Sequence, residues 1–388
     1  MRLRSEFKPR DGQMELGWLA PKFESTMNSR STKTLSSKDE RILNALGTEL
    51  LSTSAQADVS RVQALLNGHA PAWFQDQTTG WGALHFAIAG DVDELGNSPG
   101  DVAISLNDQE CYELIRDAGL RSEFTLHAIQ SKTSLTALRA EDSTPAGSTD
   151  EFLKSKLVYR TDENGQEVVV IDIGGEEVGV MMGWEKPIMD ATVRALCPKG
   201  ISIGGRGPTI LNVGFGLGII DSLFQSLNPP PSRHVIIEPH PDVLAHMRST
   251  GWFDKPGVEV LEGKWQEFVK ADRIGELIGE QGGFDVIYTD TFSEGYNDLH
   301  EFFEHLGDLM AGQDSRFSFF NGLGATQATF YDVYTKLSAL HLEDMALTTT
   351  FEDIDVHAAG EGSGAWGETR KYFSLPLYRM PICRPLQG

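Results

Sequence analysis

The chain lacks several features that would place a protein in a class at once. It has three cysteines, Cys111, Cys197 and Cys383, which lie far apart. This number and spacing argue against a disulfide framework and against a zinc cluster, and they fit a reducing compartment. No apolar run approaches the roughly 18 residues that a membrane helix needs. The charged N-terminus lacks the apolar core of a secretory signal, so we expect no membrane partner.

Positive charge is also scarce. The chain has 33 Lys and Arg residues against 56 Asp and Glu residues, for a net charge of -23 at pH 7. Nucleic acid would be repelled, so we expect no direct nucleic-acid partner. A cationic substrate would be attracted, although a charge of this sign also serves solubility. The ten histidines show no metal-binding spacing, and we expect no bound metal.

The length and local composition predict several regions. A chain of 388 residues suggests two domains, or one large domain with an extension. Residues 1–40 are polar and show no sustained periodicity, which predicts a disordered extension. Residues 141–150 are rich in Ser, Thr, Gly and Pro and predict a linker. We therefore expect one domain over 41–135 and a second over 151–388.

The segment 41–135 resembles ankyrin repeats. Two predicted helices, the second of which ends at Gly68, precede the run Ala83-Leu-His85. A second match begins near Gly96 and ends at Gly119. The interval between the two matches is about half the usual repeat length of roughly 33 residues. The expected role is a docking platform for a protein substrate, and the alternative is a structural brace on the second domain.

The most informative segment is 210–218, an apolar run followed by glycines at alternate positions. It predicts a buried strand, a tight turn and a helix that begins at Ile219. Glycine lets the backbone come close to a ligand because no Cβ stands in the way. The next predicted strand ends at Glu238, at the distance where a nucleotide-type ligand has its ribose hydroxyls bound. The Gly-x-Gly-x-Gly spacing of residues 214–218 is common in S-adenosylmethionine (SAM) enzymes. On this motif alone, a dinucleotide enzyme and a plain strand–turn–helix remain open.

Two strands are predicted over 156–159 and 167–172, and a helix over 186–196. Strands over 210–213, 234–238, 258–261, 284–288 and 316–320 then alternate with helices over 219–227, 240–249, 265–279 and 297–311, which predicts a parallel, doubly wound sheet. Two further strands, over 344–350 and 371–377, would close it with an antiparallel hairpin. Ligands bind beyond the carboxyl ends of such strands, where Glu238, Trp265 and Asp290 are predicted to lie, with Trp265 near an adenine face. The sequence thus predicts an α/β protein with a Rossmann-like sheet, preceded by an α-helical ankyrin-like domain. The closing hairpin is what a class I SAM-dependent methyltransferase sheet adds to the Rossmann pattern.

The segment 180–189 combines soft apolar side chains with one acid. Met181, Trp184 and Met189 surround Glu185 in the sequence. Methionine at such spacing is often core filler. An acid among these residues also suits a lid over a sulfonium, with a cationic acceptor beyond it.

These segments resemble guanidinoacetate methyltransferase and, more closely, the fungal protein arginine N5-methyltransferases, the type IV enzymes. The likeness is carried by residues 181–189, 212–218, 236–238, 262–265, 288–294 and 319–324. It covers 155–380 strongly and 40–125 loosely. The resemblance implies SAM as cofactor and methyl transfer to the δ nitrogen of an arginine. It also implies a basic protein substrate, a large-subunit ribosomal protein, and we expect a monomer in cytoplasm and nucleus.

By the same resemblance, Glu185 and Asp290 would hold the guanidinium group of the acceptor. The residues that would contact SAM are Tyr159, Met181, Met189, Phe215, Gly216, Leu217, Gly218, Ile219, Ile220, Glu238, Pro239, His240, Gly263, Lys264 and Asp290. Two other functions stay open: methylation of a small guanidino compound, and a non-catalytic ankyrin interaction protein. Only Glu294 follows the fourth predicted strand, whereas enzymes that dimethylate terminal arginine nitrogens place two glutamates there.

Overall fold

The computed structural model describes residues 44–52, 59–68, 70, 99–132, 144–163, 165–198, 206–270, 272–280, 282–356 and 372–386. The predicted extension 1–40 and the run Ala83–His85, on which the ankyrin likeness rests, lie outside these residues and stay predictions. No helix in the described part of the chain is long and apolar enough to span a membrane.

Helices make up the described part of the N-terminal region. They are α1 (44–52), α2 (Val59–Asn67), α3 (Pro99–Ser105) and α4 (Gln109–Lys132). Helix α4 continues through Gly119, the residue at which the second ankyrin match ends, and the repeat itself stays a prediction. A Cβ on Gly119 would lie 3.0 Å from Cγ2 of Val333. The absence of a side chain at Gly119 therefore lets α4 lie close against the second domain.

A seven-stranded sheet with the predicted Rossmann-like topology forms the centre of the second domain. Its strands are β4 (Thr209–Val213), β5 (Arg233–Glu238), β6 (Val258–Glu262), β7 (Val286–Thr289), β8 (Arg316–Phe319), β9 (Leu347–Asp355) and β10 (Leu377–Pro385), in the order β6-β5-β4-β7-β8-β10-β9. The pairs from β6 to β8 are parallel, and β10 runs antiparallel to both β8 and β9. All five residues of β4 are buried, as expected for a strand covered by helices on both faces.

The helices of this domain depart from the predicted spans in a few places. They are α5 (Thr149–Lys154), α6 (Lys186–Leu196), α7 (Ile219–Gln225), α8 (Pro241–Ser249), α9 (Ile274–Ile278), α10 (Tyr296–Glu304), α11 (Leu306–Leu309) and α12 (Ala328–Asp344). The helix predicted over 265–279 is a single 3-10 turn at Trp265–Glu267 followed later by α9. The helix predicted over 297–311 is interrupted at His305. The predicted 141–150 linker includes the first turn of α5.

The closing hairpin exists, but its strands lie later in the chain than predicted. Helix α12 was not predicted, and it extends to Asp344, so β9 begins only at Leu347. Strand β10 begins at Leu377, where the predicted strand ended. Burial explains the shift: Tyr378, Met380 and Cys383 of β10 are almost fully buried. Core packing, which cannot be read from local sequence, selects the paired residues.

A second, antiparallel sheet contains β1 (Val158–Thr161), β2 (Glu167–Ile173) and β3 (Glu176–Met182). The first two were predicted, but β3 was not, because its residues were interpreted as the start of a lid loop. Strand β3 leads into a 3-10 turn, Gly183–Glu185, and then directly into α6. Regular structure on both sides therefore positions Glu185.

Candidate functional site

A cavity of about 260 Å³ lies beyond the carboxyl ends of β4, β5 and β7. Strand β4 has β5 on one side and β7 on the other, so the strand order reverses there. Ligands of open α/β sheets bind at such a point. Twelve of the predicted site residues line the cavity: Met181, Glu185, Met189, Phe215, Gly216, Leu217, Ile219, Ile220, Glu238, Pro239, Lys264 and Asp290.

The glycine turn after β4 forms one wall of the cavity. Gly214 has a φ of +91°, and a Cβ there would lie 2.0 Å from the carbonyl oxygen of Asp290. At Gly216, with a φ of +62°, a Cβ would lie 2.4 Å from Sδ of Met181. Both positions need the left-handed region and the missing side chain. The turn therefore brings three separate chain segments together around one space.

Glu238 organises this turn from the end of β5. Its carboxylate accepts the backbone N–H of Phe215 at 2.9 Å and that of His240 at 2.7 Å. Burial raises the pKa of Glu238 to about 7, although these backbone bonds and one from Gly216 oppose the rise. A carboxylate has about four lone-pair sites, so some remain for hydroxyl groups of a ligand.

A polar network beneath the turn was not found by sequence reasoning. Asn212 Nδ2 donates to the Gly214 carbonyl at 2.8 Å and to the Asp221 carboxylate at 2.9 Å. Nε2 of His234 lies 3.0 Å from Asp221 Oδ1, and all three side chains are fully buried. The only signal was a single polar residue in the apolar run of β4. The network fixes the carbonyl at the start of the turn.

The two carboxylates that the sequence paired, Glu185 and Asp290, line this one cavity. Glu185 is 7% exposed and ends the 3-10 turn before α6. Asp290 follows β7, and its backbone N–H donates to the Val213 carbonyl at 2.9 Å. Burial raises the pKa of both groups, and the charge of Asp290 raises that of Glu185 further. Among the described residues, no positively charged side chain contributes to either shift.

Tyr372 also contacts this acidic pair, and the sequence analysis missed it. Its hydroxyl donates to Oε1 of Glu185, and its side chain lines the cavity. The residue lies in a segment that was interpreted as a strand, so no chemical role was assigned to it. Only the tertiary structure brings the segment before β10 next to the start of α6.

Four predicted site residues, Tyr159, Gly218, His240 and Gly263, adjoin the wall and are not among the lining residues. The Tyr159 hydroxyl donates to the Gly216 carbonyl at 3.3 Å, so it supports the turn from behind. Gly218 is the N-cap residue of α7, in the left-handed region. His240 is buried, and its backbone N–H binds Glu238. Gly263 follows β6.

Helix α5 and the loops after β6 and β7 complete the rim. Lys264 forms an ion pair with Asp150 of α5 at 2.5 Å. Trp265, predicted to lie near an adenine face, lines the cavity but is only 3% exposed. Its indole N–H donates to Glu294 at 2.9 Å, which ties the two loops together. No group of three or more metal-ligating side chains occurs among the described residues.

The family model for guanidinoacetate N-methyltransferase matches residues 162–316 of the chain. The chain is similar to "Protein arginine N-methyltransferase 2" of Cryptococcus neoformans, with 38% identity over 370 residues, 88% of this chain and 96% of the relative. It is also 33% identical over 334 residues to the Aspergillus oryzae protein of that name. That match covers 77% of this chain and 75% of the relative.

The chain also has a low overall similarity to solved structures. Aeropyrum pernix fibrillarin in complex with natively bound S-adenosyl-L-methionine is 12% identical, with a TM-score of 0.34. The match covers 59% of this chain and 99% of fibrillarin.

Proposed function

Because the chain belongs to the protein arginine N-methyltransferase 2 family, we propose that it transfers a methyl group from SAM to the δ nitrogen of an arginine in a protein substrate. Family membership supports arginine methylation in general, whereas the nitrogen and the acceptor are proposals. The observation that carries the proposal is the buried pair of Glu185 and Asp290. Both carboxyl groups have raised pKa values, and no positively charged side chain among the described residues contributes to either shift, so they favour a ligand that brings positive charge.

The cavity fits SAM as the methyl donor. Its glycine turn lets Asp290 and Met181 pack closely against the backbone around the cavity, and Glu238 ends β5 with about one lone-pair site left for a ribose hydroxyl. When bound, SAM supplies a methyl group activated by its positively charged sulfur. The residues that would hold it are the lining members of the predicted set, with Met181 and Met189 on the side of Glu185.

Glu185 and Asp290 would bind the guanidinium group of the acceptor. Its pKa lies above about 12, so it arrives protonated. Carboxylates match its planar fork and would discriminate against lysine, which is a point charge. Pairing would draw positive charge away from the δ nitrogen. Since burial raises the pKa of both acids, either is suited to take the proton that leaves as the nitrogen is methylated.

The apolar part of the lining has a separate task. Leu299, Phe319 and Phe320 line the cavity together with the methionines. They exclude water from the space around the two acids, which strengthens the electrostatic interactions there. The protein's main contribution is then to position and desolvate the two reactants.

We propose a basic protein as acceptor, and the large-subunit ribosomal protein that the resemblance implies. The net charge of -23 supports a basic partner, since it would attract one. A monomer in cytoplasm and nucleus is part of the same proposal. The N-terminal region would act as a docking platform or as a brace on the catalytic domain.

The test is mass spectrometry of a basic ribosomal protein fraction after incubation with the chain and SAM. Fragmentation that separates δ-methylarginine from terminal-nitrogen methylation should find the δ isomer. Guanidinoacetate is assayed in parallel, because the family-model match favours it as a second candidate acceptor. Methylation only at terminal nitrogens, or only of guanidinoacetate, contradicts the proposal. Absence of SAM binding in a titration would instead favour a non-catalytic interaction protein.

A further inference from the structure

We propose that Tyr372 is a positioning residue for Glu185, and that its hydroxyl orients the carboxylate that receives the arginine side chain. This rests on the function proposed above and extends it to a residue with no role so far. The Tyr372 hydroxyl donates to Oε1 of Glu185, and both side chains line the cavity. In the sequence, Glu185 lies near the start of the catalytic domain and Tyr372 lies near its end.

Glu185 needs an external partner for its orientation. It occupies the N-cap position of α6, but its side chain makes no capping hydrogen bond. The helix therefore does not determine where the carboxylate points. The Tyr372 hydroxyl and a backbone bond from Met182 determine it instead. These two donors leave about half of the lone-pair sites open to a ligand in the cavity.

Tyr372 is well placed for this task because aromatic rings pack around it. Its ring lies 5.9 Å from that of Trp184, centroid to centroid. The next residue, Phe373, is buried and packs against Trp184 and Tyr378. Packed aromatic rings hold the hydroxyl at one point, and a positioning group needs such support to work.

The hydroxyl also favours the ionised form of Glu185, because a hydrogen bond to a carboxylate stabilises its charge. The other titratable groups that face Glu185 are Asp290 after β7, Tyr288 of β7 and Tyr378 of β10. Burial raises the pKa of both tyrosines, so they are neutral, and Asp290 opposes ionisation of Glu185. Tyr372 is thus the side chain that counteracts burial and Asp290.

The first test is Tyr372→Phe, which keeps the ring and removes only the hydroxyl. We expect kcat/KM for the protein acceptor to fall about 10-fold at neutral pH, as for loss of a hydrogen bond to a charged group. The acid limb of the pH–rate profile should move upward by about one pH unit, because Glu185 stays protonated to higher pH. The dissociation constant for SAM should not change.

Tyr331→Phe is the matched control. Tyr331 is also a buried tyrosine beside Phe373, and its hydroxyl accepts the backbone N–H of Arg379 at 2.8 Å. It is not among the cavity-lining residues that the structure describes. This variant should leave the acid limb where it is. If the acid limb of the pH–rate profile moves equally in Tyr372→Phe and Tyr331→Phe, the proposal is overturned.

Two further measurements do not depend on full activity. Infrared spectroscopy can follow the carboxylic C=O band that Glu185→Gln removes, and this band should titrate at higher pH in Tyr372→Phe than in the unmodified chain. In a double-mutant cycle, Tyr372→Phe added to Glu185→Gln should cause no further loss of kcat/KM. An unshifted band, or losses that add, overturns the role of Tyr372 even when the unmodified chain methylates arginine. Should that chain form no δ-methylarginine, the proposed function itself fails.

Discussion

Glu185 and Asp290 lie at the wall of one cavity, and the negative charge of Asp290 raises the pKa of Glu185. The two residues are brought there by the start of α6 and the end of β7. This arrangement costs free energy, because two like charges share a space of low polarity. A bound cation would remove that cost. A pair of side chains whose arrangement lowers the stability of the fold is typical of a functional site.

We predict that Glu185→Gln and Asp290→Asn each lower turnover about 100-fold or more, because each removes a charge aimed at the guanidinium. The measurement is kcat with the protein acceptor, beside a SAM titration that should change little for Glu185→Gln. Asp190→Asn is the control: Asp190 lies on α6 in an exposed ion pair with Arg194. Rates near that of the unmodified chain in both acid variants would contradict the proposed role.

Glu185→Gln should also stabilise the fold at pH 8, although it lowers turnover. Because burial and Asp290 raise the pKa of Glu185 above its value in the unfolded chain, the native state binds more protons between about pH 4 and neutrality. Stability from this group is therefore present at low pH and is lost as pH rises. The neutral amide avoids that loss.

Thermal denaturation checks this prediction. We expect a melting temperature about 2 °C or more above that of the unmodified chain at pH 8, with a difference that shrinks toward pH 5. Asp190→Asn again serves as control and should show no such pH dependence. An increase in melting temperature that becomes larger as pH falls would refute the argument, because the expected pH dependence has the opposite sign.

Gly214→Ala should disrupt the cavity far more than Gly165→Ala. Both glycines have positive φ values, +91° and +79°, so both variants share a backbone cost of about 1–3 kcal/mol. Only at Gly214 would the Cβ meet another chain segment, 2.0 Å from the Asp290 carbonyl oxygen, since nothing lies within 4 Å at Gly165. SAM affinity should fall about 10-fold or more in Gly214→Ala and stay unchanged in Gly165→Ala. Equal SAM affinities of the two variants would show that the close approach of Gly214 to the Asp290 carbonyl does not matter for binding.

The N-terminal helices should act as a brace on α12. A Cβ on Gly100 of α3 would lie 2.1 Å from Oγ1 of Thr329, and the Tyr112 hydroxyl of α4 donates to Asp332. We expect Gly100→Ala to destabilise the fold by about 1–3 kcal/mol, as overpacking does. Gly275→Ala is the control, because this helical glycine has nothing within 4 Å and alanine favours a helix.

Chemical denaturation of both variants measures the effect. A brace also predicts that a chain without residues 1–140 is insoluble or unfolded, because α12 would expose the apolar surface that α3 and α4 cover. A truncated chain that is folded and binds SAM, but no longer methylates the protein acceptor, would support the docking role instead. Unchanged stability of Gly100→Ala would count against close packing at this contact.

Much of the catalytic domain could be predicted because its signals are local. The helix expected over 186–196 occurs as Lys186–Leu196, and the strand expected over 210–213 occurs as Thr209–Val213. In both cases apolar periodicity and turn residues agree with the final environment. The ends of β4, β5 and β7 then had to meet at one edge of a parallel sheet. This is why a set of predicted residues from separate segments lines one cavity.

Other elements could not be predicted, because distant contacts decide them. The reason for a glycine at position 119, inside α4, is the close approach of Val333, which no local pattern indicates. Strand β3 and the true start of β10 depend on which residues the core buries. Tyr372 has no local signature at all, since its role depends on a carboxylate in another part of the chain.

The sequence by itself determined the class of sheet, the glycine turn and the two acids, because period, turn chemistry and residue type are properties of short segments. Only the tertiary structure decided that the two acids line one cavity, that Tyr372 donates to one of them, and that α4 rests on α12. Charge repulsion, desolvation and close packing act through space, so they depend on distances that residue order does not contain.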